Sequence, residues 1–302
     1  MAPNNTTKSD QRSVIWNRVY PKLLKHAVAD SRFSFDFLKF VPDFQGSSSA
    51  VDSLVQLPCY QSAKTLLVTP DNSLEGLRFR ALKDGKNLLV ATHQLRRGFV
   101  LLNPNRIPDE QYQSASWLDG MERPGIGRNL TLSQLQNEGV KIDLSVIGGL
   151  AFSTQGVIIW EGPSLFEVQW AMLLDTKSLS PETPVIAVAH DSQVVDEKEE
   201  GLEETKPAQS GEVQCDFLVT PGKTYDIKDA VKSRNGIDFE KLDQDALNNI
   251  PPLQELKGIR MMESIMKGSG FGKEEKEPER TISEEEQMGM SIVDKLMKGF
   301  KF

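Results

Sequence analysis

The run KTLLVTPDNSLEGLRFRALKDGKNLLVAT (64–92) decides the fold. Its two ends, KTLLVTP (64–70) and NLLVAT (87–92), are continuously apolar rather than alternating, as strands covered on both faces are. Between them, NSLEGLRFRALKDG (72–85) reads as a helix, with Asn72 or Ser73 as a cap and Gly85 as a stop. A strand, a helix and a strand in this order predict an α/β domain with a parallel sheet flanked by helices.

Working outward, IDLSVIGGLAF (142–152), VIIW (157–160), PVIAVAH (184–190) and DFLVT (216–220) repeat the strand pattern. DQRSVIWNRVYPKLLKHAVAD (10–30) reads as a helix kinked or restarted near Pro21. Residues 238–267 read as two helices around NNIPPLQEL. The polar stretch 193–214 reads as a solvated acidic insertion between two core strands. These patterns give an α/β domain over 1–260, followed by a linker and an amphipathic helix over 283–299 within 261–302. In that last helix Ser283 and Glu286 have capping-box spacing, and Met288, Ile292, Val293, Leu296, Met297 and Phe300 form an apolar stripe. The stripe either docks on the domain or binds a protein partner.

Composition narrows the classes. The chain has 302 residues, 38% of them hydrophobic, and a formal charge of −8. Residues 196–212 hold seven acids and two bases, so most of that charge is local to one segment. Two cysteines, Cys59 and Cys215, fit a reducing compartment, the cytoplasm, with no disulfide framework. They and three histidines (His26, His93, His190) lack ligand-like spacing, so no metal site is expected from them. The N-terminal residues lack a secretory h-region, and no run approaches the ~20 apolar residues of a membrane span. A negative chain without an RNP-like aromatic run is not expected to bind nucleic acid.

The run VIIWEGPSLFEVQWAMLLD (157–175) reads as a strand, a tight turn and a helix, the arrangement in which proteins often hold phosphate. Its details speak against that use. Pro163 has no N–H, and Ser164-x-x-Glu167 has capping-box spacing, which would engage the amides a phosphate needs. Glu161 adds negative charge at the mouth. At ~4 Å and an effective dielectric of ~20, its repulsion from one phosphate charge is about 4 kcal/mol. One charged hydrogen bond returns only about 1.5–3 kcal/mol. A Mg²⁺ ion between carboxylate and phosphate would reverse that sign.

Several segments together carry a resemblance: FVPDFQGSSSA (40–50), PDNSLEGLRFRAL and NLLVATHQLRRGFVLLNP within 70–104, DLSVIGGLAFSTQG (143–156), ETPVIAVAHDSQVVD (182–196), CDFLVTP (215–221) and NGIDFEKL…IPPLQEL (235–256). In this order they resemble the 5-formyltetrahydrofolate cyclo-ligase family, also called methenyltetrahydrofolate synthetase, and most closely its divergent branch of methenyltetrahydrofolate-synthetase-domain-containing proteins. The resemblance implies a three-layer α/β fold with a mostly parallel sheet, akin to ribose-phosphate isomerase and coenzyme-A-transferase folds, here followed by a C-terminal helical tail. It also implies a C–N bond-forming ligase of one-carbon metabolism. ATP with Mg²⁺ phosphorylates the formyl oxygen of 5-formyltetrahydrofolate, the ring nitrogen attacks, and 5,10-methenyltetrahydrofolate, ADP and phosphate result.

Carried over position by position, the resemblance implies that Lys8 and Arg12 reach the triphosphate, with Arg96, Gly162, Glu167 and Gln193 also on the nucleotide side. Glu75, Arg78, His190 and Asp191, at strand ends, are the substrate-side candidates. No catalytic residue is singled out. The chain departs from the pattern at Glu161, Gln45 and Gln94, where the family or its branch has basic residues, and at Ser164 and Leu165, where it has glycine and tyrosine. The alternative is therefore a weakened or inactive relative that binds a ligand or a protein.

Overall fold

A computed structural model describes residues 8–202, 212–240, 242 and 244–268. The expected tail helix over 283–299 lies outside them. The chain divides into two units, Met1–Ile259 and Arg260–Phe302.

The first unit is built on an eight-stranded mixed sheet. In chain order the elements of the described residues are α1 (Lys8–Leu23), α2 (Ser47–Leu54), α3 (Pro58–Ser62), β1 (Thr65–Val68), α4 (Glu75–Lys83), β2 (Asn87–Ala91), β3 (Phe99–Leu102), α5 (Tyr112–Ser116), β4 (Arg128–Leu130), α6 (Leu132–Asn137), β5 (Leu144–Ile147), β6 (Ala151–Ser153), β7 (Ile158–Trp160), α7 (Phe166–Asp175), β8 (Val185–Val188), β9 (Val194–Val195), β10 (Phe217–Val219), β11 (Thr224–Asp226), α8 (Gln244–Asn249) and α9 (Pro251–Gly268). The sheet order is β11-β10-β8-β5-β1-β2-β3-β4. The five central strands, β10, β8, β5, β1 and β2, run parallel, and the outer pairings β2–β3, β3–β4 and β10–β11 are antiparallel.

Period-two alternation sends successive side chains of each strand to opposite faces. Leu66, Val68, Leu88, Val90, Val146 and Ile186 pack toward α2, α4 and α5. Leu67, Leu89, Ile147, Val185, Ala187 and Leu218 pack toward α6, α7 and α9. Both faces are covered, which is why the strands read as unbroken apolar runs. The fold is α/β with a helical layer on each face, as expected.

Three expectations need correcting. The run 142–152 is not one strand: Gly148 and Gly149 break it, β5 joins the large sheet, and β6 starts a separate sheet of order β7-β6-β9. The segment 193–214 is not simply a solvated insertion. Val194 and Val195 form β9 beside β6, and Glu197, Val213 and Gln214 are buried. The helix expected over 10–30 is shorter: α1 runs through Pro21, does not restart after it, and ends at Leu23. Pro21 has no N–H to give the Asn17 carbonyl, and the helix ends within one turn after it. Ile15, Val19 and Leu23 of α1 pack with Leu150, Ala151, Ile159 and Val195 of the small sheet, which brings α1 to the carboxyl end of the large one.

Candidate functional site

In the sheet order, β1 is where the connections change direction: β2 lies on one side, and β5, β8 and β10 on the other. Ligands of open α/β sheets sit outside the strand carboxyl ends at such a point. The residues delivered there are Thr69 and Asp71 after β1, Gly148 and Gly149 after β5, and His190 to Gln193 after β8.

Asp71 organises this end. Its buried carboxylate accepts hydrogen bonds from the Thr69 and Ser164 hydroxyls and from the Gly148 N–H at 3.0 Å. Burial pushes the carboxyl up, and the hydroxyl donors pull it back. Gly148 is required here. A Cβ would lie 2.7 Å from an Asp71 oxygen and 2.8 Å from the Ser73 hydroxyl, both buried and unable to withdraw.

Ser164 therefore does not cap the helix after it, contrary to the capping-box expectation. Its hydroxyl turns back to Asp71, Leu165 at the N-cap of α7 adopts a left-handed conformation (φ 54°), and Glu161 does the capping. The Glu161 carboxylate accepts the Glu167 N–H at 3.2 Å, and the Phe166 N–H also bears on it. Burial, then the neighbouring Glu167 carboxylate, pushes the Glu161 carboxyl up to about 8. Near neutral pH the obstacle to phosphate is thus occupation of the amides more than charge, a change from the electrostatic expectation. Gly162 holds a left-handed turn (φ 73°) against Val41 and Leu150. Glu167 accepts the Val213 N–H at 3.3 Å.

The basic face of α1 meets carboxylates of the acidic segment. Arg12 pairs with Glu212 at 2.8 Å, Arg18 with Glu200 at 2.7 Å, and Lys22 with Glu200 at 3.4 Å. Lys8 opens α1, and its side chain lies outside the described residues. Arg96 stays apart from this set. It is exposed, donates to Gln94 at 3.1 Å, and borders a cleft with Pro163 and Leu165.

Of the substrate-side candidates, Arg78 is completely buried and donates to the carbonyls of Ser116 (2.8 Å), Thr69 and Asp71 (both 3.0 Å). Burial pushes the guanidinium down to about 10. Its hydrogen bonds tie α5 to the end of β1, a structural task. Glu75 is half-buried, and its carboxyl is raised by burial against the pull of Arg78. His190 stacks on His26 with ring centroids 4.2 Å apart, and its Nδ1 lies 2.9 Å from the Ser192 hydroxyl. Burial, then His26, lowers the His190 pKa. Asp191 accepts the Thr220 hydroxyl. Gln193 is buried, accepts the His190 N–H at 2.7 Å and donates to the Gly149 carbonyl at 2.7 Å.

The structure thus brings Gly162, Glu161, Glu167 and Asp71 together and spends Arg78 and Gln193 on backbone groups. Ser164 and Asp71, far apart in sequence, form the central link that spacing alone did not reveal. A glycine pair after a β-run, VIGGL, was the available signal for close approach at that strand end.

The ATP and Mg²⁺ implied by the resemblance can be tested against this geometry. A triphosphate at the turn needs free amides and unpaired cations. Here the α7 amides serve Glu161, Pro163 has none, and Arg12 is held by Glu212. Among the described residues no three His, Cys, Asp or Glu side chains converge to hold a metal ion. The turn does not fit the nucleotide.

Fold and site define an α/β protein whose candidate site lies at the strand carboxyl ends beside the switch point of a mixed sheet. The model of the 5-formyltetrahydrofolate cyclo-ligase family matches residues 22–198, more than half of the chain, and the chain belongs to that family. Methenyltetrahydrofolate synthase domain-containing proteins are similar: that of Danio rerio is 29% identical over 255 residues, covering 84% of this chain and 62% of its own length. The Homo sapiens protein is 28% identical over 258 residues, covering 83% of this chain and 61% of its own. The chain thus spans less than two thirds of these relatives. Aquifex aeolicus 5,10-methenyltetrahydrofolate synthetase superposes with a TM-score of 0.42 at 15% identity, over 77% of this chain and 99% of that one.

Proposed function

We propose that this chain is a cyclo-ligase-family protein whose triphosphate cradle is closed by its own carboxylates, and that it acts as a ligand- or protein-binding module. One observation carries this reading: the Glu161 carboxylate sits on the first amides of α7, where a phosphate would have to be held. The Arg12–Glu212 pair supports it, because a cation the family directs to phosphate is engaged within the chain. A folate is the ligand class that the family brings, and a protein partner for the segment beyond α9 belongs to the same reading. The free thiols of Cys59 and Cys215 support placing the protein in the cytoplasm. Among the described residues no helix is long and apolar enough to cross a membrane.

A second reading, ATP-dependent conversion of 5-formyltetrahydrofolate to 5,10-methenyltetrahydrofolate, is favoured by the family match over 22–198. Incubating the full chain with 5-formyltetrahydrofolate and Mg-ATP, and following methenyl absorbance, separates the two. The first reading expects no turnover above a no-enzyme control. Sustained turnover, lost when ATP is omitted, would establish the second in its place.

A further inference from the structure

We propose that the far end of α9 is one half of a helical hairpin, and that its exposed apolar stripe is covered by the amphipathic tail of the same chain, residues 283–299.

α9 changes character along its length. Leu253 and Leu256 are buried in the core, and Ile259 packs partly against it. Met261, Met262, Ile265 and Met266 follow, each between 54% and 67% exposed. At roughly 100° per residue these four fall within one arc of about 140° on the helix surface. Single exposed apolar side chains need no explanation, whereas a continuous stripe of them marks an interaction surface. Three of the four are methionines, whose flexible thioethers adapt to the shape of what packs on them.

The occupant follows from the chain itself. The division between the two units falls inside α9, after Ile259, so the stripe belongs with the tail in one unit, Arg260–Phe302. The tail sequence carries a matching pattern: Met288, Ile292, Leu296 and Phe300 recur every four residues, with Val293 beside them. As a helix these positions also fall within an arc of about 140°. Residues 269–282, with Gly270, Gly272 and Pro278, connect the two. That connection exceeds the roughly 2–8 residues that join antiparallel helices in bundles, so the tail can reverse and reach the whole stripe. An antiparallel pairing opposes the two helix dipoles and brings Glu284, Glu285 and Glu286 to the end of α9 that carries Lys267 in sequence. A protein partner for the tail then competes with α9 for the same side chains. The inference does not rest on whether the turn after β7 holds nucleotide.

The test uses the full chain in a Cys59→Ser background, which leaves only the buried Cys215. Met262→Cys is combined with Met288→Cys, Ile292→Cys or Leu296→Cys on the tail stripe. The control combines Met262→Cys with Asp294→Cys, a position on the opposite side of the tail helix. Mild oxidation should give a disulfide within one chain, at least about fivefold faster for the best stripe pair than for the control. Disulfide-linked dimers whose yield rises with protein concentration would make a second copy the occupant and overturn the proposal. Equal rates for stripe and control pairs would overturn it as well, since a tail held elsewhere or by another protein presents no preferred face to α9. Hydrogen exchange gives a second readout: Ile292→Asp should speed exchange of the amides of 261–266 about tenfold, and an unchanged rate would count against the hairpin. All the paired positions lie beyond the first unit, so its melting temperature should match the background in every variant. Nucleotide and folate are absent from these assays, so their failure is distinct from a failure of the proposed function.

Discussion

Glu161 shows how one side chain can change what a helix end is for. An α-helix offers unpaired amides at its start, and an anion is welcome there. Here the amide acceptor is built into the chain, five residues ahead of α7, and near neutral pH it is mostly the uncharged carboxyl. The raised carboxyl has a consequence for stability. Its ordinary value is 4.5 and its folded value about 8, so the folded state keeps the proton longer than the unfolded chain. The stability from this group is complete below about pH 4.5 and is lost as pH rises toward 8. Glu161→Gln keeps an acceptor for the amide and removes the titration. Thermal melts from pH 5 to pH 9 should therefore show a wild-type decline that flattens in the variant. An identical decline in both would contradict the assignment.

Arg78 makes a prediction of the opposite kind. Its sequence position at a strand end invites a ligand role, yet its guanidinium serves three carbonyls in the interior. Arg78→Met strands those carbonyls without water, so denaturant unfolding should show a loss of about 3–5 kcal/mol. A loss below about 1 kcal/mol would mean that the buried network is not holding the strand end. Ser164 is a similar case. Its spacing to Glu167 fits a cap, but a buried carboxylate 93 residues away competes for the hydroxyl and wins. Local spacing cannot reveal such a partner, because only the folded sheet brings β1 and the turn together.

At the scale of elements, what could be read was what depends on local pattern. The β1–α4–β2 unit was legible because strand and helix differ in period, and burial on both faces leaves an unbroken apolar run. The division of 142–152 between two sheets was not, because β5 and β6 are equally apolar and only Gly148 and Gly149 mark the break. β3 was not legible as a strand although Phe99–Leu102 is apolar, since the antiparallel return from β2 depends on pairing that one strand does not display. The break at Gly148 can be tested. In Gly148→Ala the new methyl meets Asp71 and Ser73 at distances real Cβ atoms do not adopt. The strand ends must separate, at a cost of about 1–3 kcal/mol. Gly76→Ala, with open space around it, is the control and should cost less. Equal melting temperatures for the two variants would contradict the packing described at the β1–β5 junction.

For the whole molecule, we propose that the family fold is kept without the family chemistry. The sheet and its switch point are those of an open α/β fold. Two of the means by which the turn would hold a triphosphate are engaged inside the chain: amides by Glu161 and Arg12 by Glu212, and the neighbouring Arg18 and Lys22 pair with Glu200. Pairs at the surface of this kind, even partly buried, each stabilise by about 0–1 kcal/mol, so their importance lies in occupying cations more than in stability. Fold alone does not carry function, and the chemistry must be sought in the side chains that meet at the site.

The most direct test of this account is isothermal titration calorimetry of the full chain with Mg-ATP, on wild type and on Glu161→Ala. The account predicts no saturable binding to wild type. Stoichiometric binding to wild type, unchanged by Glu161→Ala, would contradict it.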